Sequence, residues 1–439
     1  MQLLILSIRL IWMESNMPNG KNMFKVIEMF SGIGAQAKAL ERIGIEHEII
    51  NTCDWDVGAI VAYCQIHKGN INIDKYKDVS DEEIKAFLDT HTLSLDGKKP
   101  ANPRSFARYS MEVKRLIYAA IHETKNLVSI TDVKGKDIPE NIDLFTYSFP
   151  CQDLSMCGYW HGNKSGISRD VKNRSGMLWE VERILKEMHQ EKRKLPRFLV
   201  MENVTNILSA VHRDDFNDWK KILEDLGYFN YVYRLNAKNF GVPQKRERAY
   251  MISIWIDGDA DKLLNITRYF HENNLENENV ADVYKSRSFM LKDVLRLNYS
   301  NKTYREEADA SQPNDTPSRT KILQENDMLF DGVKINEINV NTVTTKQDRN
   351  PNSGLITYLN GAEGKTKWRY LTPRECFMLM GFDEADYEKA VSINPEYIKG
   401  RRLFTNEKMI KMAGNSICVD VLEAIFRQII EINNKLFKI

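Results

Sequence analysis

Phe24-Lys-Val-Ile-Glu-Met-Phe-Ser31-Gly32-Ile33-Gly34 is the stretch that decides the fold. Its first half, from Phe24 to Met29, is an apolar run typical of a β-strand, and Ala35 to Ile43 continues with helical spacing. A strand, a tight turn and a helix in this order open a βαβ unit, whose turn exposes backbone N–H groups at a helix N-terminus. The stretch therefore predicts an α/β chain with a ligand-binding turn, although a plain glycine turn is equally typical of α/β proteins without one.

A second strand is predicted from Ile45 to Thr52, followed by Cys53-Asp54-Trp55-Asp56 and by a helix from Val57 to His67. An acid at the end of such a strand characteristically accepts hydrogen bonds from ribose hydroxyls, and Trp55 beside it could stack on adenine. The alternative is an ordinary helix cap with a core tryptophan. Together with the glycine turn, Asp54 favours an adenosine-containing cofactor.

Later apolar runs extend the same pattern of strands alternating with helices such as Met177 to Met188. The predicted strands are Leu144 to Phe149, Phe198 to Met201 and Tyr250 to Trp255. The fold class is therefore α/β, with a doubly wound and mostly parallel sheet.

The domain organisation follows from changes in composition along the chain. Residues 1–23 are predicted to be a disordered extension, and residues 24–256 a catalytic, cofactor-binding domain with an insertion at about 68–130. The Asn-rich, weakly periodic sequence after Trp255 predicts a smaller second domain at 257–400. The amphipathic pattern from Val419 to Ile430 indicates that residues 401–439 return to the first domain.

Composition limits the partners and the compartment. The chain has 62 Lys and Arg against 61 Asp and Glu, so a nucleic-acid-binding face would have to be a local patch. Its six cysteines lack paired CxxC spacing, which predicts no metal site and a reducing compartment. No stretch approaches the ~20 apolar residues of a membrane span. We therefore expect a soluble, cytoplasmic protein.

Three further segments carry residues suited to catalysis. Pro150-Cys151-Gln152 follows a strand, where an exposed thiol could act as a nucleophile, although a buried structural thiol is the usual role of a lone cysteine. Glu202 ends an apolar strand and suits an acid with a raised pKa, or equally a helix cap. The arginines of Gln244-Lys-Arg246-Glu-Arg248 alternate on one side of an extended segment, and could also be solvated charges.

In this order and spacing, the segments from Phe30 to Ala424 resemble the signature blocks of the DNA cytosine C5-methyltransferase family, prokaryotic type. The resemblance implies the S-adenosylmethionine-dependent methyltransferase fold with a small target-recognition domain. The local sequence from Thr146 to Ser155, with Ala59-Ile60-Val61 upstream, is similar to that of the CpG-type enzymes of mollicutes. CpG specificity is not implied, because the region between Trp255 and Arg374 does not carry the match. The elements that match are Pro150-Cys151-Gln152, Glu202-Asn203-Val204, Gln244-Arg246-Arg248 and Gly414-Asn415-Ser416.

The resemblance implies a role for each catalytic residue. Cys151 is the expected nucleophile that adds to C6 of a flipped cytosine, and Glu202 the acid that contacts N3 and the exocyclic amine. Arg248 would hold the base carbonyl, and Arg246 would position the acid. Asn203 and Gln152 would support the catalytic loop.

The resemblance also implies contacts to S-adenosylmethionine. Asp132-Val133 is the expected adenine contact, with Asp78-Val79 as the alternative. Asn415 and Ser416 would close the methionine end of the cofactor site. The other expected cofactor contacts are Phe30, Gly32, Gly34, Asp54, Trp55 and Pro150.

The expected macromolecular partner is double-stranded DNA, bound by a monomer. A restriction-modification system would add a companion restriction endonuclease. The alternatives are a tRNA cytosine methyltransferase, which the long variable region disfavours, and a non-catalytic DNA-binding relative, which the intact cysteine and acid disfavour. A solvated surface arginine is the alternative for Arg174, and a plain solvated loop is the alternative for the segment from Thr342 to Arg349. The candidate DNA contacts are Gln152, Arg174, Thr344, Lys346 and Arg349.

Overall fold

A six-stranded sheet forms the centre of the computed structural model, which describes residues 23–150, 154, 167, 175–347 and 353–437. Strands β1 to β5 and β7 belong to this sheet, and β6 lies outside it. The first seven strands are β1 Phe24–Met29, β2 His47–Cys53, β3 Leu144–Tyr147, β4 Phe198–Val204, β5 Tyr228–Asn236, β6 Gln244–Lys245 and β7 Glu247–Trp255.

The strand order is β2-β1-β3-β4-β7-β5, and every neighbouring pair from β2 to β4 is parallel. Strand β7 runs antiparallel to both β4 and β5. The predicted α/β class with a mostly parallel sheet is confirmed. Strand β5 was not predicted, because polar residues such as the half-exposed Asn230 and the exposed Arg234 interrupt any apolar run.

The pairing brings the ends of the parallel strands into one row. Met29 of β1 lies beside Cys53 of β2 and Tyr147 of β3, and Tyr147 lies beside Met201 of β4. The residues that follow these four positions therefore share one edge of the sheet, where ligands bind in open α/β folds.

Helices cover both faces of the sheet. Val26 of β1 belongs to the apolar cluster on one face, and Ile27 to the cluster on the other, as the alternation of side chains along a strand requires. The first seven helices are α1 Ala35–Arg42, α2 Val57–Lys68, α3 Asp81–Asp89, α4 Pro103–Ala107, α5 Met111–Glu123, α6 Leu178–Gln190 and α7 Arg213–Asp225. Helices α1, α2 and α5 pack into the first cluster, and α6 and α7 into the second.

The remaining helices divide between the core and a smaller unit. They are α8 Ala260–Glu272, α9 Glu278–Tyr284, α10 Leu291–Val294, α11 Lys302–Ala310, α12 Pro317–Gln324, α13 Pro373–Leu379, α14 Glu384–Val391, α15 Asn406–Asn415 and α16 Val419–Leu436. Helix α16 is longer than the predicted Val419 to Ile430 and is buried along most of its length. Tyr269 of α8 and Tyr284 of α9 both donate hydrogen bonds to Glu431 of α16, at 2.8 and 3.0 Å.

The smaller unit lies within the second domain predicted at 257–400, of which α8 and α9 pack on the C-terminal helix. Its three-stranded sheet has the order β11-β10-β8 and a separate apolar cluster of Leu323, Leu355 and Tyr370. The later strands are β8 Met328–Phe330, β9 Val340–Asn341, β10 Leu355–Thr357, β11 Trp368–Arg369, β12 Glu396–Ile398 and β13 Arg401–Arg402. Within the described part of the chain, no helix is both long and apolar enough to cross a membrane.

Candidate active site

The turn after β1 has a backbone that few side chains tolerate. Phe30, Gly32 and Gly34 all have positive φ angles, of 57°, 55° and 80°. A Cβ on Gly34 would lie 2.1 Å from Nε2 of His67, so a side chain has no room there. That His67 nitrogen lies 3.0 Å from the carbonyl oxygen of Ile33, and burial lowers the pKa of His67 to about 4. The turn is therefore fixed from behind by α2 and open toward the strand ends.

Asp54 is joined to this turn by a hydrogen bond. Its Oδ2 accepts from the backbone N–H of Gly32 at 2.9 Å, and its Oδ1 accepts from the N–H of Asp56 at 2.8 Å. Burial and the neighbouring Asp56 carboxylate raise the pKa of Asp54 from 3.8 to about 6. Trp55 is partly buried and packs against the main apolar cluster. Gly32, Gly34 and Asp54 thus form one surface suited to a ribose and its flanking groups.

Asn126 completes the outer end of this surface, a role that no sequence motif indicated. Its Oδ1 accepts from the N–H groups of Asp54 and Val128, at 3.2 and 2.7 Å. A parallel bridge between Asn126 and Thr52 continues the sheet beyond β2. The loop from Val128 leads to Asp132, which is exposed, whereas the Val133 side chain is buried in the second cluster.

The alternative adenine contact lies elsewhere. Asp78 is exposed just before α3, and the carbonyl of Val79 accepts from Arg115 at 2.9 Å. Asp132 is therefore closer in sequence than Asp78 to Asn126, the residue that bridges to Thr52 at the strand edge.

Glu202 and Arg248 form an ion pair at the end of β4. Nε of Arg248 lies 3.3 Å from Oε1 of Glu202, and both side chains are largely buried. Burial raises the pKa of Glu202, while Arg248 and Arg246 lower it. The structure therefore makes Arg248 the direct partner of the acid, a position that the resemblance had suggested for Arg246.

A hydrogen bond from Asn203, the neighbour of Glu202, holds the segment that leads to Cys151. Nδ2 of Asn203 donates to the carbonyl oxygen of Phe149 at 3.0 Å, and Pro150 is partly buried. Farther along, Nδ2 of Asn206 donates to the carbonyl of Leu154 at 2.6 Å. Cys151, Gln152 and Arg174 lie outside the described residues.

Arg246 connects two separate segments through three backbone carbonyls. Its Nη1 donates to Val343 at 2.9 Å, and its Nη2 donates to Gly414 and Ser416 at 2.9 and 2.8 Å. Burial and the neighbouring Arg248 lower the pKa of Arg246 to about 10. The side chain therefore fixes the Gly414-Asn415-Ser416 element against the segment that contains Val343.

Gln244 reinforces the same junction, a role that was not predicted from the sequence. Its Oε1 accepts from the N–H of Val343 at 2.9 Å, and its Nε2 donates to the carbonyl of Leu379 at 2.6 Å. Its position in the Gln244-Arg246-Arg248 element was the signal available in the sequence.

Thr344 and Lys346 lie where this junction meets the surface. Oγ1 of Thr344 donates to the carbonyl of Lys346 at 2.6 Å, and the Lys346 side chain is exposed. Asn415 ends α15 and Ser416 caps it, so both lie beside the carbonyls that Arg246 binds. Arg349 lies outside the described residues.

Comparison with known proteins agrees with this geometry. The sheet order and the glycine turn joined to Asp54 are those of an α/β fold of the S-adenosylmethionine-dependent methyltransferase type. The family described as C-5 cytosine-specific DNA methylase matches residues 24–95 and 110–431, so the chain belongs to that family of DNA methyltransferases. The predicted family and enzyme class are confirmed.

Two relatives are similar over nearly the whole chain. One is the orphan methyltransferase M.SssI of Spiroplasma monobiae, 34% identical over 94% of this chain and 99% of the relative. The other is the type II methyltransferase M2.ScrFI of Lactococcus lactis subsp. cremoris, 32% identical over 93% of this chain and 99% of the relative. The crystal structure of S. pombe Dnmt2 methyltransferase shares the fold, with a TM-score of 0.53 and 17% identity over 93% of this chain and 98% of that one.

Proposed function

We propose that this methyltransferase transfers a methyl group from S-adenosylmethionine to C5 of a flipped cytosine in duplex DNA, through a covalent bond between Cys151 and C6. The observation that carries the proposal is the Glu202–Arg248 pair beside the segment that enters Pro150-Cys151. An acid, a cation and a nucleophile-bearing segment meet there at the ligand-binding edge of the sheet.

The nucleophile is needed because C5 of cytosine is too electron-poor to accept a methyl group unaided. The Cys151 thiolate adds to C6, which breaks the C5–C6 π bond and places an electron pair at C5. That pair forms the new bond to the methyl group, whose bond to the sulfonium sulfur breaks and leaves its electrons on that sulfur as a neutral thioether. Loss of the C5 proton then restores the double bond and expels the thiolate, and we assign no residue as the base.

Glu202 has the environment of an acid in this scheme. Burial favours its protonated form, which can donate a hydrogen bond to N3 as negative charge develops on the ring. Arg248 partly opposes that effect through its positive charge. Its Nη2 would donate to the base carbonyl, while its Nε faces Glu202 and its Nη1 donates to the carbonyl of Glu247. The pair thus suits recognition and activation of one face of cytosine.

The cofactor supplies the methyl group from a sulfonium centre when it is bound. Gly32, Gly34 and Asp54 fit its adenosine part, since the turn exposes backbone and Asp54 offers a carboxylate beside it. The proposal keeps Phe30, Trp55, Asp132, Val133 and Pro150 as further contacts. Asn415 and Ser416 would border its methionine end.

The target base must leave the helix to reach these groups, which costs a few kcal/mol and requires compensating DNA contacts. We assign those contacts to the smaller unit, with Thr344 and Lys346 at its junction with the core. We expect a monomer acting on cytoplasmic DNA, with or without a companion restriction endonuclease.

Bisulfite sequencing of DNA from cells that express the chain tests the proposal. The expected result is protected cytosines at one recurring sequence, absent from cells that express Cys151→Ser. Incubation of the purified protein with labelled S-adenosylmethionine and either duplex DNA or tRNA separates the two substrate classes. Transfer to tRNA alone would refute the proposal.

A further inference from the structure

The family match skips residues 96–109, which lie within the predicted insertion at about 68–130 and are called the insertion from here on. It carries Lys98, Lys99, Arg104 and Arg108, and all four side chains are exposed. Asp96 is its only carboxylate, and it accepts from the backbone N–H groups of Lys98 and Lys99 at 2.9 and 3.3 Å. The insertion therefore presents an excess of positive charge to solvent, in a chain whose overall charges almost cancel.

The hairpin of β12 and β13 lies against the end of this insertion. The N–H of Ser110 donates to the carbonyl of Tyr397 at 2.9 Å, and the rings of Tyr109 and Tyr397 are 4.5 Å apart. The hairpin carries the exposed Lys399 and Arg401. Two segments almost 300 residues apart in sequence thus contribute to one surface.

That surface adjoins the cofactor-binding edge. A Cβ on Gly97 would lie 2.6 Å from Oδ2 of Asp56, which follows Asp54 by two residues. Nζ of Lys411 lies 3.1 Å from the same Asp56 oxygen. The insertion is thereby anchored beside the active-site edge.

We infer that Lys98, Lys99, Arg104, Arg108, Lys399 and Arg401 form a second DNA-binding surface, which contacts phosphates of the duplex outside the target site. None of the six forms an ion pair with a carboxylate in the described part of the chain. Two further carboxylates, Glu112 and Glu407, are exposed at the starts of the adjoining helices, and Glu396 accepts from the N–H of Gly400 at 2.9 Å. Positive charge remains in excess.

Clustered exposed cations without partners suit a phosphate backbone, because binding releases condensed counterions and needs no particular base. The occupant is duplex DNA and not a small ligand, since the surface is extended. The inference rests on the proposed function, because it assumes that duplex DNA occupies the neighbouring active site.

The test compares four double variants of the full chain. Lys98→Ala/Lys99→Ala and Arg104→Ala/Arg108→Ala change the insertion. The charge-matched control is Lys136→Ala/Lys194→Ala, which removes two exposed lysines at the opposite edge, where Lys194 donates to Asn141 just before β3. A fourth variant, Lys399→Ala/Arg401→Ala, probes the hairpin independently.

Affinity is measured against salt concentration with a long duplex and with a short one barely larger than the recognition site. On the long duplex, each insertion variant and the hairpin variant should lower the slope of log affinity against log salt by about 2, and weaken binding about tenfold or more. On the short duplex, the variants and the parent should bind and methylate alike.

Two outcomes separate the hypotheses. If the unmodified chain methylates DNA, and the insertion and hairpin variants show the same slope of log affinity against log salt as that chain, the second surface is overturned. The proposed function would then stay intact. A parent that fails to methylate either duplex would instead refute the proposed function. Equal losses for the Lys136/Lys194 control would also overturn the inference, because the effect would then reflect net charge alone.

Discussion

Gly414 packs against the backbone of Thr344 with no room for a side chain: a Cβ on Gly414 would lie 2.5 Å from the carbonyl carbon of Thr344. Gly414 precedes the residues expected at the cofactor, and Thr344 belongs to the segment expected at the DNA. Arg246 spans the same junction, from Val343 to Ser416. The two binding regions are therefore in direct backbone contact.

Gly414→Ala should impair both binding functions together. The methyl group must displace the Thr344–Thr345 backbone, and such overpacking costs about 1–3 kcal/mol. We expect a higher Kd for S-adenosylmethionine and a higher KM for DNA, measured by calorimetry and by steady-state kinetics. Gly58→Ala is the matched control, because its Cβ would make only ordinary contacts of 3.4 Å or more. A rise in one constant alone would show that the two regions are not coupled here.

Binding of S-adenosylmethionine should weaken at acid pH because of Asp54. Since the pKa of Asp54 is raised from 3.8 to about 6, protonation removes its charge as the pH falls through about 6. The same shift means that the group's contribution to folding is present below 3.8 and is lost as the pH rises through about 6. Calorimetry from about pH 7.5 to about pH 5 should show falling affinity for the parent.

Asp54→Asn is the control for that titration. It should bind the cofactor more weakly at neutral pH, by roughly 1–3 kcal/mol, and with little pH dependence between those limits. An identical pH profile in Asp54→Asn would assign the titration to another group.

Glu202→Gln should lower kcat by about 10²–10⁴ while the affinity for S-adenosylmethionine stays unchanged, because the lost group acts only on the base. Arg248→Gln removes a charge that lowers the pKa of Glu202.

In the pH profile of the single-turnover rate, the fall at high pH reflects loss of the proton from Glu202. In Arg248→Gln this fall should therefore move to higher pH. A fall that stays in place would contradict this role of the pair.

The DNA sequence that the enzyme recognises should be determined by a shorter segment of the chain than composition alone predicted. Composition indicated that specificity lies between about Ile256 and Lys367, but α8 and α9 pack on α16 through Glu431. We expect a chimera that exchanges only residues 311–370 with those of a relative to methylate the relative's site in bisulfite sequencing. Exchange of residues 257–295 should leave the site unchanged. Retention of the parent site by the first chimera would locate specificity elsewhere.

The sequence predicted the parallel part of the sheet, because apolar runs are local signals, and the proposed site residues follow those strands. It missed β5, an edge strand whose half-exposed residues give no apolar run. It also missed Asn126 and Gln244, since their roles depend on Asp54, Val343 and Leu379, which are distant in sequence. Packing of α8 and α9 against α16 is likewise a tertiary contact that composition does not encode.

Covalent trapping tests the central claim most directly. Duplex DNA with 5-fluorocytosine at the target should form a stable adduct in the presence of S-adenosylmethionine, because fluorine cannot leave C5 as the proton does. Intact-mass measurement should show one adduct, and peptide mapping should place it on Cys151. Cys151→Ser should bind the cofactor normally and form none. An adduct on another residue, or efficient methylation of ordinary DNA by Cys151→Ser, would contradict the account.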